Sequence, residues 1–172
     1  MGIRINPTHS NYSMVVKHVF PFIFLLLTHS VFGQNEKQEK MELLNFMVGE
    51  WIGTSKIFEN GEVIQEGSAY EKISYDLDKN ILVIELNTEM LQLHTIIYYD
   101  EKDNTYYYYP FSKRGVNSYP AEYTDGQLIV NSSETKRFIF HRTSDGSFQE
   151  YGEQRINGKW TRYFEDTFTN SQ

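Results

Sequence analysis

From Ile52 to the C-terminus, short runs with apolar residues at every second position are separated by turn signals, the pattern of half-buried β-strands. Ile52–Glu59 leads into Asn60-Gly61, the strongest short hairpin signal. Val63–Tyr75 follows, with Gly67 expected to mark a bulge or sharp bend. Asp76–Asn80 turns the chain into Ile81–Leu86 and then Leu91–Tyr99. Asp100–Asn104 turns it again into Tyr106–Tyr109, Pro110 and Gly115 break the next stretch, and Tyr119–Tyr123 is a short strand. Asp125-Gly126, Asp145-Gly146 and Asn157-Gly158 then set off Gln127–Asn131, Lys136–Arg142, Phe148–Ile156 and Trp160–Phe168. Before this region, Asn35–Met47 has helical spacing: Asn35 can cap it with Gln38 in capping-box position, and Leu43, Leu44 and Met47 share a face. Successive short hairpins leave no long crossover for a Greek key. The pattern predicts an all-β fold, an antiparallel up-and-down β-barrel of about ten strands with a short N-terminal helix closing one end.

The pattern before residue 34 is different in kind. Phe20–Leu27 is an almost unbroken apolar run preceded by Lys17 and His18 and followed by Val31-Phe32-Gly33, the order of a secretory signal peptide. The run is too short for a stable span, which needs about 20 apolar residues. Met14 offers a more ordinary start than Met1, and no cysteine follows to carry a lipid anchor. The expected organisation is a signal peptide over 1–33, a short helix and lead-in over 34–48, and a barrel domain over 49–170. The expected location is exported, periplasmic or extracellular, after cleavage near Gly33, with no membrane span once the leader is removed.

Charge narrows the partners. Arg4 and Lys17 are the charged residues of the leader, so its removal takes the formal charge from −7 to −9. Nucleic acid and anionic membrane surfaces need concentrated positive charge and are not expected partners. With no cysteine, the exported domain must be held by its core alone. A chain of this size can bury roughly two-thirds of its surface on folding.

The segment Leu44-Asn45-Phe46-Met47-Val48-Gly49-Glu50-Trp51-Ile52-Gly53 resembles the opening of lipocalin-like (calycin-type) barrels, in which a short helix runs into Gly-x-Trp-x-Gly. It is most similar to a family of small secreted bacterial lipocalin-like proteins, whose barrels open with Leu-x-Phe-Leu-Val-Gly-x-Trp and carry Asp-Gly-x-Trp before the last strand. Here that second element is Asn157-Gly158-Lys159-Trp160, and the likeness spans 42–170. The resemblance implies that Gly49, Trp51, Gly53 and Trp160 serve barrel closure, with Arg155 or Arg162 lying over the Trp51 ring. A more distant likeness is to nitrobindin-type barrels, which open with Gly-x-Trp-x-Gly-x-Gly. Ser55 stands at the third glycine, and no histidine follows His141 where that type places its haem ligand, so no haem is expected.

Candidate chemistry is sparse. Asp76-x-Asp78-x-Asn80 starts like a calcium loop, but Ile81 and Asn87 stand where glycine and a bidentate glutamate are required, so it reads as a turn. Asn131-Ser132-Ser133 matches a glycosylation sequon, relevant only in a eukaryotic secretory pathway. Beyond the leader only His94 and His141 remain, too few for a zinc site without carboxylate help, and no metal or other cofactor is expected. Either histidine can face a cavity or serve as a hydrogen-bonded structural group. No serine elbow, metalloprotease motif or phosphate loop occurs. On the last strand, parity groups Trp160, Arg162, Phe164 and Phe168. An inward aromatic face would bury Arg162, and Glu150 on the face of Phe148 is its expected partner. The candidate ligand-binding residues are therefore His94, His141, Glu150 and Arg162.

The expected function is a non-enzymatic binder of a small apolar or amphipathic molecule, because ten strands enclose room for one small ligand. The alternative is an exported interaction or structural protein whose barrel is filled by its own side chains. A ligand-sized cavity with converging polar groups separates the two. An enzyme would require a strongly perturbed His94, His141 or Glu150 inside such a cavity.

Overall fold

The computed structural model describes residues 36–171, so the expected leader, the expected cleavage site near Gly33 and the expected Asn35 cap lie outside the described residues. Residues 36–42 are α-helical and tighten into a 3-10 turn over Leu43–Met47. The strands are β1 (Gly49–Glu59), β2 (Glu62–Asp76), β3 (Ile81–Thr88), β4 (Gln92–Asp100), β5 (Thr105–Ser112), β6 (Gly115–Val116), β7 (Tyr119–Thr124), β8 (Gln127–Ser133), β9 (Lys136–Arg142), β10 (Phe148–Ile156) and β11 (Lys159–Asn170). Every pairing is antiparallel. Neighbours in sequence are neighbours in the sheet except at β6, a two-residue hairpin arm on β5, where β7 pairs directly with β5. Pairing of β4 with β5 and of β1 with β11 closes a ten-stranded ring. Closure removes the edges that would otherwise pair with other chains. No helix among the described residues is long and apolar enough to cross a membrane.

The turns follow from local chemistry. Asn60-Gly61, Asp125-Gly126 and Asn157-Gly158 hold positive φ at both positions, as two-residue hairpins require. The Asp76–Asn80 turn places Leu77, Asp78 and Lys79 in the left-handed region. The Asp76 carboxylate accepts from Leu77 N–H, and Asn80 N–H donates to the Leu77 carbonyl at 3.0 Å. The expected bulge at Gly67 is absent. Gly67 pairs regularly with Ser55, and the β1–β2 register shifts between Ile57 and Phe58. Gly67 makes room for Glu89, which would lie 3.1 Å from an added Cβ and accepts hydrogen bonds from Ser68.

One end of the barrel is plugged by the helix. Met41, Leu44 and Met47 are fully buried against Trp51, Leu82, Ile97 and Phe148. The carbonyls at the end of a helix have no partner within it. Here the barrel supplies them: Tyr106 Oη donates to Lys40 O (2.6 Å), Tyr75 Oη to Met41 O (2.9 Å), Arg142 Nε to Phe46 O (3.0 Å) and Trp51 Nε1 to Met47 O (2.8 Å). Trp51 also stacks on Phe148, with centroids 5.3 Å apart. Gly53 is a steric requirement, because a Cβ there would sit 1.9 Å from the Thr167 carbonyl oxygen of β11.

Two expectations about this floor are corrected. The guanidinium over Trp51 belongs to Arg142, 5.2 Å from the ring centroid, and to neither Arg155 nor Arg162. Arg142 follows Phe138 and Phe140 at alternate positions of β9, so strand parity gives it their inner face, and its place at the end of the strand brings it to Phe46 and the plug. Trp160 does not close the floor: it stacks between Arg137 (4.4 Å) and Arg155 (4.7 Å), near the β10–β11 turn.

Candidate binding cavity

The other half of the barrel interior is not filled. A cavity of about 850 Å³ opens between the β3–β4 loop and the β5–β6 arm. Its walls are Ile57, Leu86, Leu93, Phe138, Phe140, Phe164 and the tyrosines 108, 119 and 163, with Lys113, Arg114 and Glu89 at the mouth.

The rings come from strands that place them inward by strict alternation, with one exception. The β10–β11 register slips between Gly152, which faces Phe164, and Glu153, which faces Arg162. Tyr163 is the extra residue on β11, and both Tyr163 and Phe164 line the cavity. Gly152 is what admits them: an added Cβ would lie 2.3 Å from the Phe164 ring and 2.6 Å from Tyr163.

At the cavity base are acids. Ser55, Glu150 and Asp166 line it, on β1, β10 and β11, and Glu71 of β2 lies close enough to raise the Glu150 pKa. Glu150 and Asp166 face each other across the β10–β11 ladder, and Asp166 faces Ser55 across β1–β11. β1 separates Glu71 from Asp166 in the sheet, yet the two acids are near enough for the charge of Asp166 to raise Glu71. Glu71 is 0 % exposed, Asp166 3 % and Glu150 5 %. Both Glu71 oxygens and Asp166 Oδ1 have no hydrogen-bond partner. Buried polar groups are normally paired, so three orphan oxygens in one place are unusual.

Electrostatics follow from that crowding. Burial, then the charge of Asp166, pushes the Glu71 carboxyl up to about 8. Burial, followed by Glu71 and Asp166, raises Glu150 well above the usual carboxylate range. Burial raises Asp166 as well, opposed by hydrogen bonds with Glu150 and Ser55. The phenols respond in kind: burial and Glu150 raise Tyr108, and burial and Tyr119 push Tyr163 up to about 12. At neutral pH such a site can both donate from a protonated carboxyl and accept at an ionised one.

Of the four candidate ligand-binding residues, Glu150 alone lines this cavity. The expected Arg162–Glu150 pair does not form. The slip at Gly152 carries Arg162 to the outer face, where it pairs with Glu165 and lies 3.9 Å over the Tyr151 ring. His141 is on the same outer face, Nε2 2.9 Å from Gln149 Oε1 and edge-on to Tyr151. His94 is exposed and lines an adjoining groove of about 500 Å³ with Tyr70, Glu85 and Phe111.

Glu71 and Asp166 were not among the candidates. Their signal is the one that marked Glu150, an acid in an otherwise apolar alternation: Ala69-x-Glu71-x-Ile73 and Phe164-x-Asp166-x-Phe168.

No protein-family model and no curated protein matches this chain. The nitrobindin-type likeness therefore has no support beyond the motif, and the lipocalin-like assignment rests on the barrel itself. A closed ten-stranded antiparallel meander plugged by an N-terminal helix is consistent with a lipocalin-like, calycin-type fold.

Proposed function

We propose that this chain is an exported, non-enzymatic binder of a small apolar or amphipathic molecule, held in the barrel cavity. The observation that carries the reading is a cavity of about 850 Å³ with apolar walls and carboxyls converging at its base. Small-molecule sites are typically ~300–1,000 Å³ and combine apolar linings with a few placed polar groups. The alternative of a barrel filled by its own side chains has less support, since the rings of the open half line a cavity of about 850 Å³ and do not fill it. Export is supported by the order of charged, apolar and small residues in 1–33.

Native mass spectrometry of the full chain, expressed with its leader in an exporting bacterial host, tests both parts. The expected species begins near residue 34 and carries the added mass of a small molecule. A ligand-free mass across independent preparations counts against the binder, and a mass that still includes 1–33 overturns export.

A second reading, acid–base catalysis, is favoured by one observation: Glu150 has a strongly raised pKa inside the cavity and Asp166 shares a hydrogen bond with it. If the co-purified molecule is converted by the wild-type chain and not by Glu150→Gln, this reading replaces the first.

A further inference from the structure

The cavity is polarised along its depth, and the polarity points to a ligand class. Glu150 of β10 and Asp166 of β11 line the base with Ser55, which is hydrogen-bonded with Asp166, and Glu71 of β2 is near enough to raise the Glu150 pKa. The groups that influence them are one another, Ser55 and the Tyr108 phenol of β5. Among the described residues, no lysine, arginine or histidine contributes to their titration. Asp166 Oδ1 is the telling atom: it belongs to a side chain 97 % shielded from solvent (3 % exposed), lines the cavity and has no hydrogen-bond partner. Behind it, both oxygens of Glu71 are equally unpartnered. A carboxylate buried without a partner is costly, and it persists where something else supplies the donor. The two side-chain cations of the cavity, Lys113 and Arg114, are at its mouth.

We propose that the cavity takes a ligand whose leading end is a small organic cation, a primary ammonium group, received by Asp166 and Glu150 with Glu71 behind them, and whose body is apolar. This rests on the binder reading above and assigns the chemistry of the bound end. An ammonium offers donors to the orphan oxygens and a charge that offsets crowded carboxylates. The aromatic walls add faces on which a cation can rest as it enters. A bare metal ion fits less well, because no group of three acidic or histidine side chains among the described residues is arranged to hold one. The orientation follows from where the acids and bases sit: the ammonium is held among the carboxyls of the base, away from Lys113 and Arg114 at the mouth.

The ligand brings a proton consequence. At neutral pH the raised carboxyls hold protons that an arriving ammonium displaces. Binding therefore releases a proton to solvent, whereas an alcohol of the same shape releases none.

Isothermal titration of the full-length chain at pH 7.5 with n-decylamine, n-decanol and decanoate separates the outcomes. The expected result is that decylamine binds at least about ten-fold tighter than decanol, and decanoate binds weakest. Repeating the decylamine titration in buffers of different ionisation heat is expected to show proton release. Asp166→Asn and Glu71→Gln, which preserve shape, are expected to remove most of the preference for the amine while decanol binding persists, which also shows that the variants fold. Equal binding of decanol, or preferred binding of decanoate, overturns the ammonium assignment and leaves the binder intact. If none of the three binds, both readings fall together.

Discussion

The two halves of the barrel interior are built from the same ten strands and treat polar atoms in opposite ways. At the plugged end, carbonyls from Lys40, Met41, Phe46 and Met47 each meet a donor from the barrel wall. In the open half, both Glu71 oxygens and Asp166 Oδ1 meet none. The plug contributes stability through packed rings and satisfied hydrogen bonds. The open half gives up stability by burying like charges beside an unfilled space. Stored cost beside unfilled space is the usual mark of a site shaped for something other than folding.

The most damaging change to this contrast is Trp51→Ala. It removes the largest ring of the plug, its stacking on Phe148 and the donor to Met47 O. Large-to-small changes of buried aromatic residues cost about 3–5 kcal/mol, and denaturant unfolding of the variant is expected to show a loss in that range. A loss under about 1 kcal/mol would mean the plug is not where stability resides.

Next comes the acidic base, whose effect depends on pH. A carboxyl with a higher pKa folded than unfolded keeps its proton in the fold where the unfolded chain has released it. That stability is whole below the unfolded value near 4.5 and is lost as pH rises through about 8. The ligand-free chain is therefore expected to melt higher at pH 5 than at pH 8.5, by a difference on the order of a few kcal/mol in unfolding free energy. Glu150 and Asp166 shift in the same direction and add to the slope. Glu71→Gln is expected to flatten much of it, stabilising the chain at pH 8.5 and changing little at pH 5. A wild-type melting curve independent of pH would remove the distinction between the two halves.

The halves also differ in how much of them the sequence discloses. Hairpin signals and alternation locate the strands to within a few residues, because turn chemistry at Asn60-Gly61 or Asn157-Gly158 is local. Glu150 is legible from parity alone. Arg162 is misplaced by the same rule, because the one-residue slip at Gly152 puts Trp160 and Arg162 on the opposite face from Phe164 and Phe168. Gly152 shows no sign of its role until the Phe164 and Tyr163 rings are placed against it. The approach of Glu71 to Asp166 across β1 depends on strand stagger, which is a property of the closed barrel and not of any segment. Arg142 over Trp51 is likewise a contact between residues far apart in the chain.

A smaller effect is expected from Tyr106→Phe, which leaves the ring in place and withdraws the donor from Lys40 O. One such bond contributes about 1 kcal/mol net, so a modest drop in stability with unchanged ligand affinity is expected. Reduced affinity would show that the plug and the cavity are coupled.

Smallest of all should be Arg162→Ala, and it bears most directly on which face of β11 is which. Arg162 pairs with Glu165 and covers Tyr151 on the outside, with its side chain 37 % exposed. Exposed ion pairs contribute about 0–1 kcal/mol, and the stacked guanidinium adds little more while solvated. The variant is expected to bind decylamine as the wild type does. Its counterpart Glu150→Gln, one strand away on the inner face, is expected to weaken that binding. If Arg162→Ala weakens binding as well, the guanidinium reaches the cavity after all. Tyr163 would then no longer be the extra residue, and the acids at the base would have a cation of their own.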